Sequence, residues 1–180
     1  MPGLAIEPAT LADLPEVAAI YNEGIRDRIA TFETRERAPE ELTGWLDDPD
    51  HPLLVARDHD DQHVLGWIAA TTYRSRPCYD GIAEFSVYVA RDARGRKVGH
   101  ALMEAFLPAC ERVGIWKILS RVFPENVGSR KLLARHGFRE VGTYLRHARL
   151  DHAWKDVVIV ERLLGEALRD LLEAEAAGEG

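Results

Sequence analysis

The chain has 180 residues, the length of one ordinary domain, and 46% hydrophobic residues supply a core of that size. Its 23 Lys and Arg against 30 Asp and Glu leave a net charge of −7, which argues against a nucleic-acid binder, because phosphate backbones are held by a basic excess. No apolar run reaches the roughly 18 residues that span a membrane, and the N-terminal stretch lacks a basic region followed by a long apolar one, so no membrane partner or signal peptide is expected.

Leu4-Ala5-Ile6 reads as a first strand, ended by Pro8. Leu11, Leu14, Val17, Ala18 and Tyr21, spaced three and four apart, predict an amphipathic helix running to about Arg28. Thr10 with Asp13 three residues later resembles a capping box at its start. A second helical stretch is predicted after Pro39 and ends before Pro49. Leu53 to Ala56 and Val64 to Thr72 read as a hairpin across the turn Asp58-His59-Asp60-Asp61. Tyr73 to Gly81 is a loop, and Ile82 to Ala90 a strand.

Val98 to Val113 is a strong helix, with Leu102, Met103, Phe106, Leu107 and Cys110 on one face and Pro108 as a predicted kink. Trp116 to Val122 is a strand, and Asn126 to His136 a helix stopped by Gly137. Glu140 to Leu150 and Trp154 to Leu164 are the last strands, turning near Asp151. An acidic helix and tail follow. The division is one domain over residues 1–165 and a tail over 166–180, in an α/β or α+β sheet with a β-α-β unit in the middle. Cys78 and Cys110 lie far apart and outside any metal-ligand spacing, so free thiols, a reducing cytoplasmic setting and no metal are expected.

The most informative segment joins the strand ending at Ala90 to the helix beginning at Val98. The N–H groups of a helix's first turn have no partner inside the helix, and with the helix dipole they make an anion site. Gly95 and Gly99 let backbone approach a phosphate, and Arg94, Arg96 and Lys97 add positive charge, so a pyrophosphate is the natural ligand. The dinucleotide order Gly-x-Gly-x-x-Gly is absent.

This segment resembles the acetyl-CoA motif of the GNAT family of N-acetyltransferases, Arg/Gln-x-x-Gly-x-Gly/Ala. Arg94 matches its first position and Gly99 its last, while Lys97 stands at the usual middle glycine. Asn126-Val127-Gly128-Ser129-Arg130-Lys131-Leu132, followed by Gly137-Phe138, is similar to the family's second signature. The resemblance implies acetyl-CoA as co-substrate, with no metal. It implies a central mixed sheet of about seven strands flanked by about four helices and splayed at the cofactor strand. It also implies cofactor contacts from Val87, Tyr88, Val89, Arg94, Gly95, Arg96, Lys97, Val98, Gly99, His100, Asn126 and Ser129, with an oxyanion donor among the N–H groups near Val87 to Val89. Many members protonate the leaving thiolate with a tyrosine; Leu133 occupies that position here.

Tyr73 to Val89, Ile20-Tyr21-Asn22, Ala30 to Glu33 and His147 to Glu161 resemble the phosphinothricin, arsinothricin and methionine sulfoximine N-acetyltransferases. The resemblance spans about residues 4 to 164. It implies a glutamate-analogue acceptor whose second head is a phosphinate, arsinate or sulfoximine, detoxified by acetylation, and a homodimer. Arg74 and Arg76, two apart on an extended segment, share a side and suit bidentate contact with carboxylate or phosphinate. The implied acceptor pocket holds Arg74, Ser75, Arg76, Tyr79, Phe85, Ser86 and His147. Strand alternation puts Ala83, Phe85, Val87 and Val89 on one apolar face and Glu84, Ser86 and Tyr88 on the other. A carboxylate in mid-strand is costly unless solvated or paired, and by resemblance Glu84 is the general base, acting through water. Alternatives are acetylation of a polyamine or a protein N-terminus, or a CoA-binding module without catalysis. An acidic pocket would suit a polyamine, and the arginine pair speaks against it.

Overall fold

A computed structural model describes residues 4–60 and 62–178. Asp61 of the predicted turn, the first three residues and the end of the predicted tail lie outside the described residues. The strands are β1 (Leu4–Pro8), β2 (Leu53–Asp58), β3 (Val64–Thr72), β4 (Ile82–Val89), β5 (Lys117–Val122), β6 (Arg139–Leu150) and β7 (Ala153–Leu163). The α-helices are α1 (Leu14–Asp27), α2 (Val98–Arg112), α3 (Val127–Arg135) and α4 (Gly165–Gly178).

The seven strands form one sheet in the order β1-β2-β3-β4-β5-β7-β6. Only β4 and β5 run parallel, joined by the crossover helix α2; every other pairing is antiparallel. The apolar face of α2 is buried as its spacing predicts: Leu102, Met103 and Phe106 are wholly enclosed with Trp67, Ile68 and Ile118 of the sheet. The helix passes Pro108 without breaking and continues to Arg112. Its last turn keeps Ala109 and Cys110 packed in the core, which offsets the N–H that proline lacks. Both cysteines are free, Cys78 exposed and Cys110 buried. Burial pushes the Cys110 thiol up to about 12, with Glu111 adding to it.

The structure alters two predicted helices. Leu11–Asp13 is a 3-10 turn, because Pro15 has no N–H to give Leu11, and the α-helix starts at Leu14. The Thr10–Asp13 capping box is present, with the Thr10 N–H donating to Asp13 at 2.8 Å. The segment after Pro39 is a 3-10 helix, Pro39–Trp45, rather than an α-helix. Gly44 lowers its α-helical propensity, and the segment is held by the burial of Leu42.

Candidate active site

β4 and β5 pair through only three register partners, Ile82 with Lys117, Ala83 with Ile118 and Glu84 with Leu119. Beyond Glu84 the strands diverge, while the other edge of β4 stays paired with β3 as far as Val89 and Gly66. The Ala90 N–H donates to Leu65 O at 2.9 Å, toward β3. Successive backbone groups alternate between the two edges of a strand, so the N–H groups of Val89, Val87 and Phe85 face the opened edge. The Phe85 carbonyl agrees with that parity, since it accepts from Ser120 Oγ of β5 at 2.9 Å. The wedge is lined by Ser86, Val87, Tyr88, Arg121, Asn126 and Ser129, and closed by Leu133.

Glu84 sits where the pairing ends. Its Oε2 accepts from Arg121 of β5 at 2.6 Å, and both side chains remain partly open to solvent. The strand pattern calls for a paired or solvated carboxylate here, and the structure gives it both. Arg121 escaped the sequence reading, because a charged residue in the alternating run from Lys117 to Val122 reads equally as a wet face. The Phe85 ring lies in the core, 5.2 Å from Phe138 and 6.0 Å from Phe106, so it meets the wedge through its backbone. Tyr88 behaves similarly: its ring stacks on Trp67 at 4.9 Å and meets Tyr21 edge-on at 5.0 Å. Gly24 of α1 makes room for it, since a Cβ there would lie 2.5 Å from the ring. Burial, with Tyr21 beside it, pushes the Tyr88 phenol well above its ordinary value, so it stays neutral.

The loop from Arg91 to Lys97 is held from outside. Asp27 accepts from Arg91 at 2.6 Å and from Arg94 at 2.8 Å. Glu23 accepts the Arg91 N–H at 2.8 Å, and Arg96 pairs with Asp58 at 3.1 Å. The Arg94 and Arg91 hydrogen bonds hold the Asp27 carboxyl below the usual carboxylate range. Two of the arginines predicted to add charge for a ligand therefore also shape the loop. Gly95 has φ of +81°, and Lys97 adopts the left-handed conformation at φ +65°, the backbone a glycine would supply at that motif position. Lys97 is the N-cap of α2. Gly99 lies against α3, where a Cβ would come within 3.0 Å of Leu132. His100 Nδ1 and His136 Nε2 are 2.9 Å apart, a hydrogen bond that ties the first turn of α2 to the end of α3. Asn126 caps α3 by accepting from the Ser129 N–H at 3.1 Å, and its amide also donates to Ile29 O at 3.3 Å.

Of the predicted acceptor residues, Phe85 and Ser86 line the wedge, whereas Arg74, Ser75, Arg76, Tyr79 and His147 are not among its lining residues. Thr71 is the register partner of Glu84, so the loop that begins at Tyr73 leaves the sheet beside it. Arg74, Ser75 and Arg76 are exposed, with Arg74 over the Tyr73 ring at 5.1 Å and Tyr73 edge-on to Tyr79 at 5.6 Å. In β6 the register slips between Tyr144 and Ala148. There Arg146 takes a positive φ and donates its N–H to Asp156 at 2.7 Å. This bulge sets His147 6.5 Å from Phe32, which packs edge-on to Phe123 at 4.9 Å. Ala30, from a segment that carries the resemblance, also lines the wedge, with Ser120 and Val122, which no sequence pattern announced. Among the described residues no group of three His, Cys, Asp or Glu side chains could hold a metal, and no helix is long and apolar enough to cross a membrane.

Residues 17–138 match the model of the acetyltransferase (GNAT) family. The chain is 34% identical to a phosphinothricin N-acetyltransferase of Streptomyces coelicolor, over 91% of this chain and the whole of that one. It is 28% identical to an L-methionine sulfoximine/L-methionine sulfone acetyltransferase of Pseudomonas aeruginosa, over 87% and 92% of the two chains. The fold superposes with a TM-score of 0.85 on a GNAT superfamily phosphinothricin acetyltransferase from Sinorhizobium meliloti solved with AcCoA. That relative is 26% identical, with 92% of this chain and 90% of the other covered.

Proposed function

The chain belongs to the GNAT acetyltransferase family, and from that premise we propose that it acetylates the α-amino group of a glutamate-analogue antimetabolite. The acceptor is of phosphinothricin, arsinothricin or methionine sulfoximine type, and acetylation confers resistance to it. The observation that carries the reading is the opening of β4 from β5 directly beyond Glu84, which sets a carboxylate at the apex of a wedge with free strand N–H groups. The phosphinothricin and methionine sulfoximine acetyltransferases among the relatives support the acceptor class.

Acetyl-CoA, once bound, supplies a thioester: the acceptor nitrogen bonds to its carbonyl carbon, the C–S bond breaks, and the sulfur leaves as a thiolate that takes up a proton. The residues present fit such a ligand. The first-turn N–H groups of α2 and the Gly95–Lys97 backbone offer donors to a pyrophosphate, with Arg94, Arg96, Lys97 and His100 around them. Val98 and Gly99 seat that turn, and Asn126 and Ser129 line the wedge for the pantetheine arm. The Val87 and Val89 N–H groups face the opened edge, where an oxyanion needs donors. Glu84 takes the amine proton, through water, so that the nitrogen lone pair is free to attack. Leu133 gives no proton, and a thiolate of cysteine-like pKa, about 8.5, leaves without one.

Arg74 and Arg76 meet the anionic head of the acceptor, with Ser75, Tyr79, Ser86, His147 and the Phe85 backbone around it. The enzyme works in the cytoplasm as a homodimer, for which the exposed Val141, Tyr144, Leu145 and Trp154 of the β6–β7 hairpin supply an apolar face. Residues 1–165 act as one unit, with α4 appended. A thiol-release assay with acetyl-CoA tests the reading, using phosphinothricin, arsinothricin, methionine sulfoximine, glutamate and spermidine. Fast release is expected with one of the first three and little with spermidine, and Glu84→Gln should lower kcat/KM about 10²- to 10³-fold. Release with none of them, despite acetyl-CoA binding, would overturn it.

A further inference from the structure

Glu84 is not alone at the apex of the wedge. Arg121 reaches across from β5 to hold it at 2.6 Å, from the point where the two strands have just parted. The pair is a carboxylate beside a guanidinium, both partly open to solvent, at the point where the β4–β5 pairing ends. Arg121 is exposed, and it lines the wedge together with Ser86, Val87 and Asn126. Just past the end of β5, Phe123 packs against Phe32, which in turn lies near His147.

An α-amino acid presents the complementary pair, an amine and a carboxylate separated by one carbon. We propose that Arg121 is the specificity-determining residue for the α-carboxylate of the acceptor. The guanidinium engages Glu84 at 2.6 Å. An incoming α-amino acid brings its own carboxylate to Arg121, by a charge-assisted contact that a guanidinium can make with two parallel N–H donors. The same exchange leaves the Glu84 oxygen that Arg121 has released open to the α-amine through the intervening water. The base is thereby freed when the acceptor carries an α-carboxylate, and stays occupied when it does not. Arg74 and Arg76, on the loop beyond β3, are left for the distal head. The inference rests on the proposed acetylation of an amino-acid analogue and adds how that acceptor is told from a simple amine.

The test compares phosphinothricin with its decarboxylated counterpart, 3-aminopropyl(methyl)phosphinate, in wild type, Arg121→Met and Arg121→Lys. Wild type should favour the amino acid. Arg121→Met, which keeps the apolar stem, should lower kcat/KM for phosphinothricin about 30- to 100-fold, mainly through KM, and change the decarboxylated amine less than about threefold. Arg121→Lys should restore part of the preference. Loss of activity toward both acceptors by the same factor, with the same displaced pH profile, would assign Arg121 only to holding Glu84 and overturn the inference. Unchanged kinetics with phosphinothricin would overturn it too. Wild type acting on the amine and not the amino acid would do so while leaving an acetyltransferase in place. Wild-type silence toward both acceptors, and toward arsinothricin and methionine sulfoximine as well, would instead bring down the antimetabolite reading itself, and this inference with it.

Discussion

Two basic loops bracket β4, one before it and one after it, and they are prepared in opposite ways. In the loop leading into α2, Arg91 and Arg94 converge on Asp27 and Arg96 is held by Asp58. In the loop between β3 and β4, Arg74 and Arg76 stand exposed, and no ion pair holds either among the described residues. The first loop uses most of its cations to fix a backbone whose N–H groups face a ligand. The second keeps its cations for a ligand to engage. This suits a cofactor that arrives in the same form at every turnover and an acceptor whose ordering cost is met at binding. Pre-formed backbone sites gain from rigidity, whereas free guanidinium groups gain selectivity from what they meet.

The sharpest way to break that division is to remove the free cations. Arg74→Ala combined with Arg76→Ala should raise KM for the amino-acid acceptor about 10- to 100-fold, the loss expected for one or two charge-assisted contacts. The KM for acetyl-CoA should stay within about twofold, because neither residue belongs to the α2 loop. Steady-state kinetics with each substrate varied in turn separates the two. A matching rise for acetyl-CoA would mean that the loops act as one site.

What the sequence made legible follows from the range of each interaction. The period of three and four from Leu102 to Cys110 marks a buried face, because a helix decides its own facing; α2 buries those residues. Glu84 stands out because one charge in an alternating strand must be explained locally. The Asp27 clamp joins residues 64 and 67 positions apart, and no local pattern marks such a pair. Arg121 became significant only once β5 was laid beside β4 and found to leave it after Leu119. Gly24 carries no signal in the sequence, because the Tyr88 ring that needs its missing side chain comes from a distant strand. The second helix failed as an α-helix for a local reason that was visible, a short span containing Gly44.

The clamp offers a smaller effect. Asp27→Ala should free Arg91 and Arg94 and weaken acetyl-CoA binding about fivefold by calorimetry, a cost of ordering the loop anew, while the acceptor KM holds. The two arginines lower the Asp27 pKa in the folded protein. A depressed carboxylate contributes stability above its unfolded value and loses it only as pH falls through the lower folded value. The clamp is therefore complete from about pH 5 upward, and the ratio of wild-type to variant affinity should stay flat between there and pH 8. A ratio that grows toward neutral pH would point away from Asp27 as the anchor.

Lys97 tests the comparison most finely, because it belongs to the held loop and yet resembles the free one. It is exposed, and no ion pair engages it among the described residues, although its backbone sits at φ +65°. A side chain in that conformation costs about 1 kcal/mol relative to glycine, less what glycine loses through its freer unfolded chain. Lys97→Gly should thus raise stability by up to about 0.5 kcal/mol, readable as a small rise in Tm. If the lysine is retained for its charge, the same variant should bind acetyl-CoA about threefold more weakly and with a shallower salt dependence. Higher stability with unchanged affinity would make Lys97 a backbone donor alone. The α2 loop would then act wholly through its shape, and the contrast with Arg74 and Arg76 would be complete.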